Sequence, residues 1–162
     1  MVTLGYSQET TTIYIIRHAE KAGNDKNSGL TAAGKERAKK WAVYFKDKDI
    51  KHFYFTDAQR TVYTGMPVMV TAGMGNTDNP VPGTTTQITS EIYNPVTLSL
   101  KDIASKSNGE NILVVGHSNT IAGTINKLLD KNMYKDIPET EYDNLYIIKI
   151  KGDAISHEVK KI

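Results

Sequence analysis

Short apolar runs alternate along the chain with longer stretches whose apolar residues recur every three or four positions. "TIYIIR" (12–17) is β-branched and aromatic and reads as a strand. "LTAAGKERAKKWAVYFKDKDI" (30–50) reads as a helix: Thr31 stands where an N-cap is wanted, and Ala38, Trp41, Ala42 and Phe45 form one apolar stripe while the lysines point to water. "HFYFT" (52–56) is again strand-like, and 57–72 is a second helix with Pro67 as a kink or early boundary. Gly, Asn and Pro crowd 72–86, which predicts a surface loop and not a domain linker, because the same alternation resumes beyond it.

"TTQIT" (85–89) is strand-like, "TLSLKDIASKS" (97–107) is a helix candidate, and "NILVVG" (111–116) has the near-continuous apolar character of a parallel strand covered on both faces. "SNTIAGTINKLLD" (118–130) comes next as a helix. The tail from Tyr142 reads as two strands around a turn at "KGDA", an antiparallel edge hairpin. The expected fold is α/β: a three-layer sandwich with a mostly parallel central sheet, helices on both faces and the antiparallel hairpin at one edge. A single domain is expected over 1–162, with 1–11 a polar lead-in.

Composition adds boundaries to this picture. At 162 residues, with 39% hydrophobic and 23% charged positions, the chain suits one domain with a substantial core. Twenty Lys and Arg against eighteen Asp and Glu give no net-charge case for a nucleic acid or a membrane surface as partner. The absence of cysteine removes disulfides, thiolate metal sites and a cysteine nucleophile together. No apolar run approaches the roughly 18 residues of a membrane span. "MVTLGYSQETTT" has neither the basic nor the apolar region of a leader, so the default compartment is the cytoplasm, with export or a periplasmic site the alternative if a leader has been removed. Oligomeric state stays open.

Two strands end in a basic residue or glycine followed by histidine: "IIRH" and "VVGH". Ligands of open α/β sheets gather beyond the carboxyl ends of the strands, so Arg17, His18 and His117 can share one site. Arg60, in "FTDAQRTVYTG", lies within the first turns after "HFYFT" and can reach the same rim. Two guanidinium forks select an anion and match phosphate oxygens bidentately, and the backbone N–H groups opening the helix after His117 suit phosphate too. With a phosphoryl group bound, one neutral histidine can attack phosphorus, the arginines helping to keep it neutral, while the other donates to the equatorial oxygens. The leaving oxygen needs a proton, for which Glu20, Asp57 and Glu91 are candidates. A metal site built from His18, His117 and a carboxylate is a rival, opposed by the two arginines beside it.

Four segments together resemble the histidine phosphatase superfamily, the group that includes cofactor-dependent phosphoglycerate mutases and phosphohistidine phosphatases of the SixA type. "RHAEK" looks like its Arg-His-Gly-Glu signature with Ala19 for glycine. "LTAAGKERA" is similar to its Leu-Thr-x-x-Gly element, "FTDAQRTVYTG" to its Ser-x-x-x-Arg-x-x-x-Thr element and "VVGHSNTI" to its Gly-His-Gly-Gly-x-Ile element, in the family's order. The resemblance implies that His18 is the phosphorylated nucleophile, that Arg17, Arg60 and His117 form the phosphate pocket, and that Ser118 offers a backbone N–H. It implies Glu91 as proton donor, with Thr89 where the family has leucine, and sets Asn24 near a phosphate-contacting asparagine. Glu20 matches the motif glutamate and is expected to orient, because a carboxylate facing a phosphate dianion would be repelled. The expected activity is hydrolysis of phosphate monoesters, without cofactor or metal, on a small phosphorylated substrate or a phosphoprotein. A mutase-type phosphotransferase, a phosphohistidine protein phosphatase and a catalytically silent phosphate-binding module are the alternatives. The chain lacks the family's longer insertions, which favours the hydrolase over a lidded mutase.

Overall fold

The alternation of side chains along the first strand divides the interior in two. In the computed structural model, which describes residues 9–73 and 88–162, β1 (Thr11–Arg17) sends Ile13 and Ile15 to one face of the sheet and Tyr14 and Ile16 to the other. The first face meets Leu100, Ile103 and Ala104 of α3 (Leu100–Lys106) and Ile121 and Ile125 of α4 (Ile121–Leu129). The second meets Trp41, Ala42 and Phe45 of α1 (Ala32–Phe45) and Val68 of α2 (Gln59–Thr71). Each of the larger of these side chains taken fully from water contributes about 1.5–3 kcal/mol, so the two cores together hold the three layers.

The remaining strands are β2 (Ile50–Phe55), β3 (Thr89–Ile92), β4 (Asn111–Gly116), β5 (Asn144–Lys151) and β6 (Ala154–Lys161). The sheet runs in the order β3-β2-β4-β1-β5-β6. β3, β2, β4 and β1 are parallel; β5 runs antiparallel to β1, and β6 antiparallel to β5. The carboxyl ends of β1 to β4 therefore meet the beginning of β5 along one edge of the sheet. The expected α/β sandwich and its terminal hairpin are both present, with β5 inside the sheet and only β6 at the rim.

Thr31 caps α1 as expected, its Oγ1 accepting from Gly34 N–H at 3.1 Å. α1 is shorter than its periodicity suggests: it ends at Phe45, and Asp49 takes a left-handed conformation (φ 52°) to start β2 at Ile50. α2 does not stop at Pro67 but continues to Thr71. The proline deprives only the carbonyl of Tyr63, a residue on the exposed side of the helix where water can serve. β3 is displaced from "TTQIT" to Thr89–Ile92, so Glu91 lies within the strand and not after it. All four of its residues are exposed, which leaves no alternation of burial to mark it. Most of the expected loop 72–86 and of the lead-in 1–11 lies outside the described residues.

Candidate active site

β1 delivers Arg17 and His18 to the carboxyl edge of the sheet, where His18 N–H pairs with Gly116 O at 2.9 Å at the end of β4. His18 is 3% exposed. Its Nδ1 lies 2.7 Å from the Ala19 carbonyl, which can only accept, so Nδ1 carries the proton and Nε2 the free lone pair. Ala19 is fixed in turn: its N–H donates to Thr64 Oγ1 at 2.8 Å, and that hydroxyl donates to Arg60 O at 2.6 Å. Burial, with smaller contributions from His117, Arg17 and Arg60 and against the Ala19 bond, lowers the His18 pKa to about 4.

His117, after β4, stands edge-on to His18 with ring centroids 5.3 Å apart. Arg60 Nη2 donates to His117 Nδ1 at 3.5 Å, leaving the ring proton on Nε2 to donate to Thr56 Oγ1 at 2.8 Å. Burial and then the charges of Arg60, Lys21 and Arg17 lower the His117 pKa to about 4. Both imidazoles are therefore neutral at ordinary pH. Arg60 opens α2 and also donates to Asp25 O at 3.4 Å. Arg60 Nε and Arg17 Nε are buried donors without an acceptor among the described residues, an arrangement that suits an anion.

Arg17 is held by the segment that leads into β5. Its Nη1 donates to the carbonyls of Pro138, Glu139 and Glu141 at 3.3, 3.0 and 2.8 Å, and its guanidinium lies 4.1 Å over the ring of Tyr142. Nη2 donates to Glu139 Oε2 at 3.0 Å, while Glu139 Oε1 accepts from Ser118 Oγ at 2.7 Å. Ile137 N–H fastens the same segment to Ser118 O at 2.9 Å.

A cleft of about 710 Å³ opens beside this cluster, lined by Asn24, Lys26, Asp57, Arg60, Tyr93 and His117 among others. Asn24 is thus on the cleft wall, exposed, and Tyr93 is fixed there by donating to Val115 O at 3.1 Å. Asp57 faces the cleft in a 3.4 Å ion pair with Lys26. Glu91 does not line it. Its register partner is Tyr54, whose hydroxyl is raised to about 12 by burial first and then by the charge of Glu91 and a hydrogen bond to it. Glu20 turns from the cleft to Arg37, whose Nε donates to both carboxylate oxygens at 3.0 Å and Nη2 to Oε1 at 2.9 Å.

Arg17, His18, Arg60, His117 and Ser118 are therefore brought together, with Asn24 on the adjoining wall and Glu91 apart. Sequence reasoning missed Glu139, Tyr142, Thr56 and Thr64. Thr56 and Thr64 had a signal, since they hold the Ser and Thr positions of the "FTDAQRTVYTG" element. Glu139 and Tyr142 obey no periodicity, and the signal available for them was that an arginine at the end of a buried central strand needs acceptors from some neighbouring segment. Among the described residues, no group of three or more His, Cys, Asp or Glu side chains is arranged to hold a metal ion, and no helix is long and apolar enough to cross a membrane.

Fold and cluster define a class: a three-layer α/β protein with two histidines and two arginines converging at the carboxyl edge of its sheet. The family model of the histidine phosphatase superfamily (branch 1) matches residues 13–80, the part that carries His18 and Arg60. No curated protein sequence matches the chain significantly. Similar solved folds include phosphoglycerate mutase from Bacillus anthracis, at TM-score 0.68 and 14% identity over 96% of this chain and 94% of that one. The phosphoserine phosphatase of Entamoeba histolytica, solved with phosphoserine, has TM-score 0.61 and 18% identity over 91% and 94%. An Agrobacterium tumefaciens protein assigned as phosphohistidine phosphatase SixA has 0.63 and 17% over 93% and 98%.

Proposed function

We propose that the protein hydrolyses phosphate monoesters through a phosphohistidine on His18. The observation that carries this is the bond from His18 Nδ1–H to Ala19 O, which leaves Nε2 as a buried, neutral nucleophile beside two arginines. Nε2 attacks phosphorus and the ester P–O bond breaks, its electron pair leaving with the alcohol oxygen. Arg17, Arg60 and the Ser118 N–H, which has no acceptor among the described residues, stabilise the equatorial oxygens, and His117 holds Arg60 among them by accepting from its Nη2. Water then attacks the phosphohistidine, releasing inorganic phosphate and restoring His18.

The leaving oxygen takes its proton from a carboxyl. The cleft's own carboxyl, Asp57, is better placed for this than Glu91, which is engaged with Tyr54. The test is turnover of an aryl phosphate with and without chelator, in wild type and His18→Ala, folding being checked by circular dichroism. Wild-type turnover indifferent to chelator and abolished in His18→Ala is expected. Activity surviving the substitution overturns the mechanism, and a chelator-sensitive rate overturns its independence of metal.

A further inference from the structure

The carboxylate of Glu139 does to Arg17 and Ser118 what a phosphoryl group would do. One oxygen takes the Ser118 hydroxyl at 2.7 Å and the other takes Arg17 Nη2 at 3.0 Å. We propose that Glu139 is a built-in competitor for the phosphoryl site: it occupies Arg17 and Ser118 until a substrate displaces it, and its return helps expel the product phosphate. This rests on the phosphatase reading above.

The pair is unequal in a way that favours displacement. The side chain of Arg17 is 2% exposed and that of Glu139 is 74% exposed, so the cation is fixed while the anion can swing into water. Arg17 does not depend on the carboxylate for its position, because three backbone carbonyls and the Tyr142 ring hold it independently. Ser118 is likewise anchored through Ile137 N–H. A phosphoryl dianion and a carboxylate cannot share these donors, since like charges a few ångströms apart repel, and the dianion brings the larger charge. Lys21, whose charge reaches both Glu139 and His117, adds to the field that an arriving anion gains.

A carboxylate that merely positioned Arg17 would have the opposite signature, because its removal would loosen the guanidinium and weaken anion binding. Calorimetric titration of wild type, Glu139→Gln and Glu139→Ala with inorganic phosphate separates the two. Removing a competitor of this exposed kind should tighten phosphate about three- to tenfold, in line with the strength of solvent-exposed ion pairs. KM for an aryl phosphate should fall alongside, and product inhibition should deepen. Glu139→Gln is the control for folding, since it keeps side-chain volume and a group able to accept from Ser118. Phosphate affinity unchanged or weakened in both variants, or no phosphate binding by any form, overturns the proposal. Phosphate binding needs no turnover. A protein whose variants bind phosphate more tightly but hydrolyse nothing refutes the hydrolase alone, and active variants with unaltered phosphate affinity refute the competitor alone.

Discussion

An imidazole that must attack phosphorus has to be unprotonated, and the burial of His18 makes that state persist far into acid. With its pKa lowered to about 4, His18 is about nine-tenths neutral at pH 5, whereas an imidazole at its ordinary 6.5 would be about 3% neutral, a difference of roughly thirtyfold in competent nucleophile. The same shift enters stability. The unfolded chain takes up a proton near pH 6.5 that the folded chain refuses until about pH 4, so the contribution is intact above 6.5 and is lost as pH falls through that window. Between pH 7 and pH 5 the loss from His18 is about 2 kcal/mol, which for a domain of this size lowers Tm by about 4–8 °C. His117 moves in the same direction, with a smaller share because it is more open to solvent. The assay is an NMR titration of the histidine ring protons from pH 3 to 8, the His18 resonance being assigned by its loss in His18→Ala, paired with thermal unfolding at pH 7 and pH 5. A His18 midpoint at or above pH 6, or a Tm indifferent to this change, would refute the claim that burial holds the nucleophile neutral.

The packing and the cleft lead to two further outcomes. Gly34→Ala would set a Cβ against the backbone of Glu20, 3.1 Å from its N and closer still to its carbonyl oxygen, where no flexible side chain can yield. It should cost about 1–3 kcal/mol in denaturant unfolding and lower kcat by disturbing the segment beside His18, and an unaltered protein would show that the approach of α1 is not needed. Asp57→Asn should slow esters with poor leaving groups by about tenfold or more relative to activated aryl phosphates, while Glu91→Gln should treat both alike; the reverse pattern would return the proton donor to Glu91.

Much of this site could be seen in the chain because its parts sit at ends of elements that periodicity reveals. β1 and β4 announce themselves by continuous apolar residues, and the histidine just beyond each strand is placed by topology alone. β3 escaped because an exposed edge strand has no buried face to alternate. Arg37 was hidden for a related reason: it belongs to the polar face of α1, yet there it meets Glu20, half-buried. Glu139 and Tyr142 depend on two facts that no local pattern encodes, that Arg17 is wholly buried and that β5 reverses direction, so that its first residues arrive beside the histidines.

That reversal also gives the two sides of the site different lifetimes. The nucleophile hangs from β1, whose amides and carbonyls are engaged by β4 on one side and β5 on the other and which opens only when the whole sheet does. The opposite wall, 135–143, is tied by such local bonds as Ile137 N–H to Ser118 O and Glu141 N–H to Pro138 O. Amide hydrogens should exchange there orders of magnitude sooner than in β1. A substrate would thus meet a surface that is solid where bonds are made and yielding where it must be let in and let go.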